Sequence, residues 1–444
     1  MVDIFMDYLP AWMFLALTIL LMFGFPVTFT LMGTALIFGL IGFGWPFFSL
    51  FPLRIWGVMG NQTLMAVPLF VFMGVMLERS GLAEELLETM GLLFGRIRGG
   101  LAVSVVIVGA LLGASTGIVG ATVVTMGLLA VPTMLRNGYQ KELAAGTVAA
   151  SGTLGQIIPP SIILVLLGDI LGVPVGDLFM GAVFPGLLLV GLYSLYILVM
   201  AFFFPKVAPP ISPEFLKGMT TAKLIRRVSV ALLPPLGLMI AVLGSIFAGI
   251  ASPTEAAAVG AMGALVLTIA SGKFNMGTLT EVMRRTTHLT CMVFIILVGA
   301  NAFALVFRGM GGDDIIRGFI EHLEFNKWQV LAIVMLIIFF IGFFLDFIEI
   351  CFIHIPVLAP IIADFGFSPL WFGVLFAVNL QTSFMTPPFG FSLFYLKAVC
   401  PPEIKTEHIY RGIIPFVLVQ LVGLVLVVLF PVLVTWLPIQ VFGN

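Results

Sequence analysis

Two short segments combine hydroxyl and amide side chains with a pair of prolines inside apolar stretches. They read SGTLGQIIPPS at 151–161 and NLQTSFMTPPFG at 379–390. Because proline lacks an N–H group and clashes with the preceding turn, two consecutive prolines end a helix and leave carbonyl groups without partners. Such carbonyl and hydroxyl oxygens suit a dehydrated sodium ion, and the positive N-terminal end of the following half-helix suits an anion. The two segments therefore predict paired binding sites for ions.

The composition predicts that these segments lie in a membrane. Of the 444 residues, 61% are hydrophobic and only 9% are charged. Soluble domains contain about 25% charged residues, so this chain has too few charges to cover a water-exposed surface. A net charge of −1 without basic clusters argues against a nucleic acid partner. The scattered cysteines and histidines match no disulfide framework and no ligand motif, so we expect no cofactor and no metal beyond sodium.

An internal match indicates that the chain consists of two similar halves. A shift of 228 positions aligns residues 129–160 with residues 357–388 without a gap. It places Pro132 on Pro360, and it places the first pair of prolines on the second. Prolines that interrupt corresponding segments of two halves are typical of transporter binding sites.

A polar, basic segment near the midpoint separates the halves. We assign a first repeat to 1–205, a linker to 206–228 and a second repeat to 229–444. The linker contains five positive residues and one negative residue, which leaves a charge of +4. The positive-inside rule therefore places the linker in the cytoplasm.

Each predicted repeat contains a re-entrant helical hairpin followed by a broken helix. The hairpins are expected at about 101–135 and 329–362, and the broken helices at about 143–170 and 370–399. The predicted fold class is an all-α polytopic membrane protein of two inverted repeats, each with a re-entrant hairpin and a Pro-Pro-broken helix. Inversion requires an odd number of membrane crossings in each half, and the sequence leaves that number open.

Six blocks distributed along nearly the whole chain carry a family resemblance. They are GFPVTFTLMG (24–33), VPLFVFMGVMLERSG (67–81), GQIIPPS (155–161), GIASPTEAAAVGA (249–261), LDFIEI (345–350) and VNLQTSFMTPPFG (378–390). The chain resembles the large membrane subunit of TRAP (tripartite ATP-independent periplasmic) transporters. The resemblance implies a sodium-driven importer of a small organic acid, with an elevator-type ion-transporter-like fold, in the bacterial inner membrane. It also implies two partners, a small four-helix membrane subunit and a periplasmic substrate-binding protein.

The resemblance further implies positions for the ions and the substrate. The first sodium site is expected between the first hairpin tip and the first break, at Ser115, Thr116, Gly117, Ser151, Gly155 and Pro159. The second sodium site is expected at the other tip and break, at Gly342, Asp346, Asn379, Thr382, Met385 and Thr386. The substrate is expected between the tips, near Ser115, Thr116, Ser161, Thr386, Pro387, Pro388 and Gly390. Ile118 departs from the family pattern, in which a serine often follows the tip glycine.

Three acids within or beside apolar stretches have competing interpretations. An ionised carboxylate in a membrane is costly and usually functional or paired, so we favour ion binding by Asp346 over a buried ion pair. For Glu349 the two interpretations stay open. Glu255 falls in the sequence Ser252-Pro253-Thr254-Glu255, which predicts a capping box with proline at the first helical position.

Two other functions compete with that of a tripartite transporter. A stand-alone sodium–dicarboxylate symporter of the divalent-anion type would contain similar breaks and would need no receptor. An intramembrane enzyme would need paired acids or a Ser/His set at helical spacing, and no such set stands out, so we predict no enzymatic activity. The sequence does not determine which organic acid is carried.

Overall fold

The computed structural model describes residues 8–211, 221–322 and 325–443, and these residues form helices without a β-strand. Residues 212–220 of the predicted linker lie outside the described ranges. The first half contains α1 (Leu9–Met22), α2 (Val27–Phe43), α3 (Phe51–Met59), α4 (Ala66–Arg79), α5 (Leu82–Phe94), α6 (Gly100–Thr116), α7 (Val119–Arg136), α8 (Lys141–Thr153), α9 (Ile162–Leu171) and α10 (Val175–Phe203). The second half contains α11 (Thr221–Phe247), α12 (Pro253–Ala270), α13 (Met276–Gly309), α14 (Gly312–His322), α15 (Lys327–Ile341), α16 (Phe347–Asp364), α17 (Pro369–Met385), α18 (Phe391–Val399), α19 (Thr406–Leu429) and α20 (Val432–Phe442).

Long apolar helices dominate the described part of the chain. By length and composition, 7 of these helices can cross a membrane. The count rises to 8 if α3 and α4, which are bent by 54° relative to each other, form one span with the short helical turns before them. The prediction of an all-α polytopic membrane protein is confirmed.

Helix bounds in the two halves follow the spacing found in the sequence. Adding 228 to the bounds of α7, 119 and 136, gives 347 and 364, which are the bounds of α16. Adding 228 to 141, where α8 begins, gives 369, where α17 begins. The repeat of residue types is therefore accompanied by a repeat of helix bounds.

The helices around the two breaks pack together into one group, which we call the central unit and which consists of α6–α10 and α15–α20. Within it, α7 packs against α18 and α16 packs against α9, so the second arm of each hairpin contacts the second half of the other broken helix. α8 crosses α19 so closely that a Cβ atom on Gly146 would meet the backbone of Gly412. The helix ends at both breaks thus pack against other helices, as interrupted backbone in a membrane requires.

A second group, which we call the frame, consists of α1–α4 and α11–α13. α4 packs against α12 and α13, and ion pairs join α4 to α13 where α4 ends. Arg79 Nη2 lies 2.8 Å from Glu281 Oε1, and Arg285 Nη1 lies 3.4 Å from Glu78 Oε1. Glu78 Oε1 also accepts a hydrogen bond of 3.2 Å from Thr125 Oγ1 on α7, which joins the frame to the central unit.

α12 begins at the capping box expected from the sequence. The Ser252 N–H donates to Glu255 Oε2 at 2.8 Å, and the Glu255 N–H donates to Ser252 Oγ at 3.3 Å. Pro253 occupies the first helical position, where its missing N–H costs nothing. The interpretation of Glu255 as a helix-start residue is confirmed.

Candidate functional site

The first hairpin tip and the first break meet through glycine backbone. Gly117 follows α6 with φ of +62°, a left-handed conformation that favours glycine. A Cβ atom on Gly113 would lie 2.6 Å from the Gly155 Cα, and one on Gly109 would lie 2.8 Å from Ser151 Oγ. Because these glycines lack side chains, α6 lies directly against the interrupted backbone of the first break.

The hydroxyl groups of the first predicted sodium site are buried close to this contact. Ser115 Oγ and Ser151 Oγ each donate to the carbonyl three residues earlier, at 2.8 and 3.2 Å. Thr116 Oγ1 lies 2.9 Å from Thr122 Oγ1 on the other arm of the hairpin. A hydroxyl that donates its proton keeps lone pairs that can bind a cation. The structure therefore brings Ser115, Thr116 and Ser151 to one tip–break region.

The same tip lies at the N-terminal end of the second half-helix. A Cβ atom on Gly117 would lie 3.1 Å from the nitrogen of Ile162, the first residue of α9. Ser161 precedes α9, is completely buried, and donates from Oγ to the Gln156 carbonyl at 2.8 Å. The positive end of α9 thus adjoins the tip, and this is the polarity that an anion needs.

The second tip and the second break also lie in contact. A Cβ atom on Gly342 would collide with Ser383 Oγ. Asn379 Nδ2 donates to the Met335 carbonyl on α15 at 2.7 Å, and Thr382 Oγ1 donates to the carbonyl four residues earlier at 2.9 Å. Ser383 is absent from the predicted ligands, although it is the residue that packs against Gly342.

The second break is more open than the first. Pro387 is partly exposed and Pro388 is exposed, whereas Pro159 and Ser161 are buried. Thr386 is half-buried at the same break, and its Oγ1 donates to the carbonyl four residues earlier at 2.7 Å. Gly390, directly before α18, is buried. The predicted substrate residues therefore fall into a closed environment at the first break and an accessible one at the second.

Asp346 and Glu349 lie at the start of α16. Asp346 is the N-cap residue, and its N–H donates to Glu349 Oε2 at 3.1 Å. Neither acid forms an ion pair within the described ranges. Adding 228 to 118 gives 346, and Ile118 is likewise the N-cap residue of α7. The two tips therefore differ in charge at one shared position, and ion binding by Asp346 stays a prediction.

The structure also reveals a buried polar cluster between the breaks that the motifs did not identify. The Tyr193 hydroxyl donates to Gln420 Oε1 at 2.6 Å and lies 3.6 Å from the sulfur of Met385. Gln381 Nε2 donates to Thr153 Oγ1 at 3.2 Å. One sequence signal was available, because Thr153 and Gln381 are 228 residues apart and so occupy one position of the repeat. Their contact depends on the packing of α8 against α17.

Comparisons with known proteins relate this arrangement to a protein family. The family described as "Tripartite ATP-independent periplasmic transporter, DctM component" matches residues 14–433. The C4-dicarboxylate TRAP transporter large permease protein DctM of Pseudomonas aeruginosa is 32% identical, over 85% of this chain and 86% of that protein. The ectoine/5-hydroxyectoine TRAP transporter large permease protein UehC of Ruegeria pomeroyi is 30% identical, over 98% of this chain and 100% of that protein.

A solved structure is similar in fold. The crystal structure of the Alcanivorax borkumensis YdaH transporter, described as having an unusual topology, superposes with a TM-score of 0.59. The match covers 86% of this chain and 88% of that chain at 17% sequence identity, so it concerns the fold alone.

The glycine contact at the first break leads to a stability prediction. We expect Gly155→Ala to destabilise the protein by about 1–3 kcal/mol, because the added methyl group would meet the backbone of Gly113. Gly191→Ala in α10 is the matched control, since a Cβ atom there has no neighbour within 4 Å. The melting temperature of the purified protein in detergent should fall for Gly155→Ala and stay level or rise for the control. Equal melting temperatures for wild type and Gly155→Ala would contradict the tip–break contact.

Proposed function

Because the chain belongs to the DctM component family of tripartite ATP-independent periplasmic transporters, we propose that it imports a small organic acid anion together with sodium, as the transport subunit of a receptor-dependent complex. As a member of this family it is a multi-pass membrane protein and a transporter subunit, not an enzyme. The observation that carries the proposal is the pair of interrupted helices, each packed by glycine against the tip of a hairpin.

Helix connectivity supports opposite orientations for the two halves. Within the described ranges, and with each bent or broken pair counted once, the first half crosses the membrane through α1, α2, α3–α4, α8–α9 and α10. The second half crosses through α11, α12, α13, α17–α18 and α19. With the hairpins α6–α7 and α15–α16 taken as re-entrant and α20 as too short to cross, each half crosses an odd number of times, which supports inverted halves. With the linker in the cytoplasm, the first hairpin opens to the cytoplasm and the second to the outside.

The division into central unit and frame supports an elevator mechanism, in which the central unit carries its cargo past the frame. Within the described ranges, few side-chain hydrogen bonds join the frame to the central unit. Thr125 donates to Glu78 near the end of α4, and Asn61, between α3 and α4, donates to Asp169 Oδ1 on α9. Arg308 Nη2, near the end of α13, donates to the Pro356 carbonyl of α16 at 2.6 Å. A Cβ atom on Gly74 of α4 would collide with the Ser115 carbonyl, so the frame presents bare backbone to the first tip. Such a surface offers little obstruction to sliding.

Sodium coupling is supported by the chemistry of both breaks. Hydroxyl oxygens and carbonyl oxygens gather at each of them, and hard cations prefer oxygen ligands. The positive ends of α9 and α18 lie at the same breaks and would attract the carboxylate of the substrate. Ion and anion would therefore neutralise each other beside the tips.

The family supports the remaining parts of the proposal. The family description names a tripartite transporter that works with the periplasm. The proposed partners are therefore a periplasmic substrate-binding protein and a small membrane subunit, for which we propose four helices. The bacterial inner membrane is the location at which such a receptor can reach the permease. The names of the relatives, which specify a C4-dicarboxylate for one and ectoine for another, support a small carboxylate as the class of cargo.

Uptake by the reconstituted complex tests the proposed function. Proteoliposomes containing both membrane subunits should accumulate labelled organic acid only with an inward sodium gradient and with the receptor present. Uptake without receptor would instead favour the stand-alone sodium–dicarboxylate symporter. Uptake that ignores the sodium gradient would contradict sodium coupling.

Thr386→Val tests the second cation site. The substitution keeps the side-chain volume and removes the hydroxyl, and loss of one polar contact worth about 1.4 kcal/mol should raise the half-saturating sodium concentration about tenfold. Thr280→Val is the matched control, because its hydroxyl makes the same bond to the carbonyl four residues earlier on an exposed face of α13. Ile118→Ala should leave sodium affinity nearly unchanged, since an apolar side chain offers no ligand. Wild-type sodium dependence in Thr386→Val would remove Thr386 from the site.

A reversible cross-link tests the elevator mechanism. With the three native cysteines replaced, Asn61→Cys and Asp169→Cys should be joined by a short bifunctional thiol reagent, because their side chains are in contact across the two groups. Cross-linking should arrest uptake, and reduction should restore it. Arg79→Cys with Glu281→Cys is the control, since both residues belong to the frame and their side chains lie 2.8 Å apart. Full uptake by the cross-linked Asn61–Asp169 pair would rule out relative movement at this contact.

A further inference from the structure

We propose that Gln381 is a positioning residue that couples the two breaks, so that sodium binding at one break raises the affinity of the other through the Gln381–Thr153 hydrogen bond. The inference rests on the proposed function and adds to it a physical origin for cooperativity between the sites. Gln381 is not one of the residues predicted to bind sodium or substrate. It acts through the residues next to it.

The position of the bond within the repeat is the first argument. Adding 228 to 153 gives 381, so the donor and the acceptor are the same position in the two halves. Equivalent positions of two halves touch only where they lie at the axis that relates the halves. The 3.2 Å bond from Gln381 Nε2 to Thr153 Oγ1 therefore joins the first break to the second at their point of symmetry.

The neighbours of the bond belong to both predicted sodium sites. Thr153 ends α8 and lies between Ser151 and Gly155 in the first break. Gln381 lies between Asn379 and Thr382 in α17. A sodium ion that fixes the backbone of one break thus also fixes one partner of the hydrogen bond.

A second hydrogen bond encloses the first in a buried cluster. Tyr193 on α10 donates to Gln420 on α19 at 2.6 Å, and Gln420 Nε2 donates to the Val378 carbonyl of α17 at 3.2 Å. The Tyr193 hydroxyl lies 3.5 Å from Gln381 Nε2. All four side chains that form the cluster are completely buried: Thr153, Tyr193, Gln381 and Gln420. Water is thus kept away from the Gln381–Thr153 bond, which strengthens it.

Some buried amide atoms in and beside the cluster form no hydrogen bond. Gln381 Oε1 and both side-chain polar atoms of Gln156 have no hydrogen-bond partner, although both residues are completely buried. A buried polar atom without a partner costs about 1–3 kcal/mol. A small shift of either break that gives these amides a hydrogen-bond partner would therefore be favourable. For this reason ion binding at a break can change the hydrogen bonds of the cluster.

Cooperativity between the two sodium sites follows from the conformational entropy that is lost when an ion orders a break. The first ion orders its own break and, through the hydrogen bond, the end of the other half-helix. The second ion then orders fewer groups and binds more tightly. By thermodynamic linkage the effect is the same whichever site fills first.

Sodium titration of uptake by the complete complex in proteoliposomes tests the proposal. Wild type should show a Hill coefficient clearly above 1, and Gln381→Leu should lower it toward 1 and raise the half-saturating concentration. Thr153→Val, a smaller change that removes the acceptor, should have the same effect. The double variant should lose no more cooperativity than either single variant, because both remove one bond.

Tyr193→Phe is the matched control within the cluster. It removes the bond to Gln420 and the longer, 3.5 Å contact with Gln381 Nε2, but it leaves Gln381 bonded to Thr153, so it should lower the melting temperature and keep the wild-type Hill coefficient. If Gln381→Leu does not fold, Thr153→Val decides the question. An unchanged Hill coefficient in Thr153→Val, an equal loss in Tyr193→Phe, or a wild-type coefficient of 1 would overturn the proposal. Absence of any sodium dependence in wild type would instead overturn the proposed function.

Discussion

Interrupted backbone inside a membrane must be enclosed by protein, because a hydrocarbon phase offers its polar groups no partner. This requirement organises the central unit. At the first break it is met by Gly113 and Gly155, whose missing side chains allow α6 to lie against the break. At the second break it is met by Gly342, which leaves room for Ser383. Each hairpin and the broken helix that it contacts therefore form one structural unit, since neither would be stable in lipid without the other.

The same structural unit occurs once in each half, and the two copies support each other. Each hairpin packs its second arm on the half-helix that follows the break of the other half. Movement of one copy alone would expose apolar surface and unpaired backbone in both. This crosswise packing holds the central unit together as one body, as the proposed elevator mechanism requires, whereas the frame is held by its own helix contacts and by ion pairs such as Arg79–Glu281.

The two copies differ in the chemistry of their tips and breaks. Ile118 and Asp346 hold the same position at the two tips, so this position is apolar at one tip and acidic at the other. The first break is buried, whereas the second is open at residues 387–388. A repeated backbone thus presents two unequal surfaces at the two breaks.

The sequence by itself determined the features that depend on residue type or on near neighbours. The proline pairs of both breaks lie in non-helical backbone, Ser252 and Glu255 started α12, and the apolar composition implied a membrane protein, because each effect depends on residue type or near neighbours. Pro234 and Pro235, in contrast, lie inside α11, so a pair of prolines does not by itself end a helix. The tertiary structure decided what the breaks contact. It placed Ser383 against Gly342 and brought Gln381 to Thr153 from 228 positions away. Such contacts follow from how distant helices pack, and residue spacing along the chain does not specify that packing.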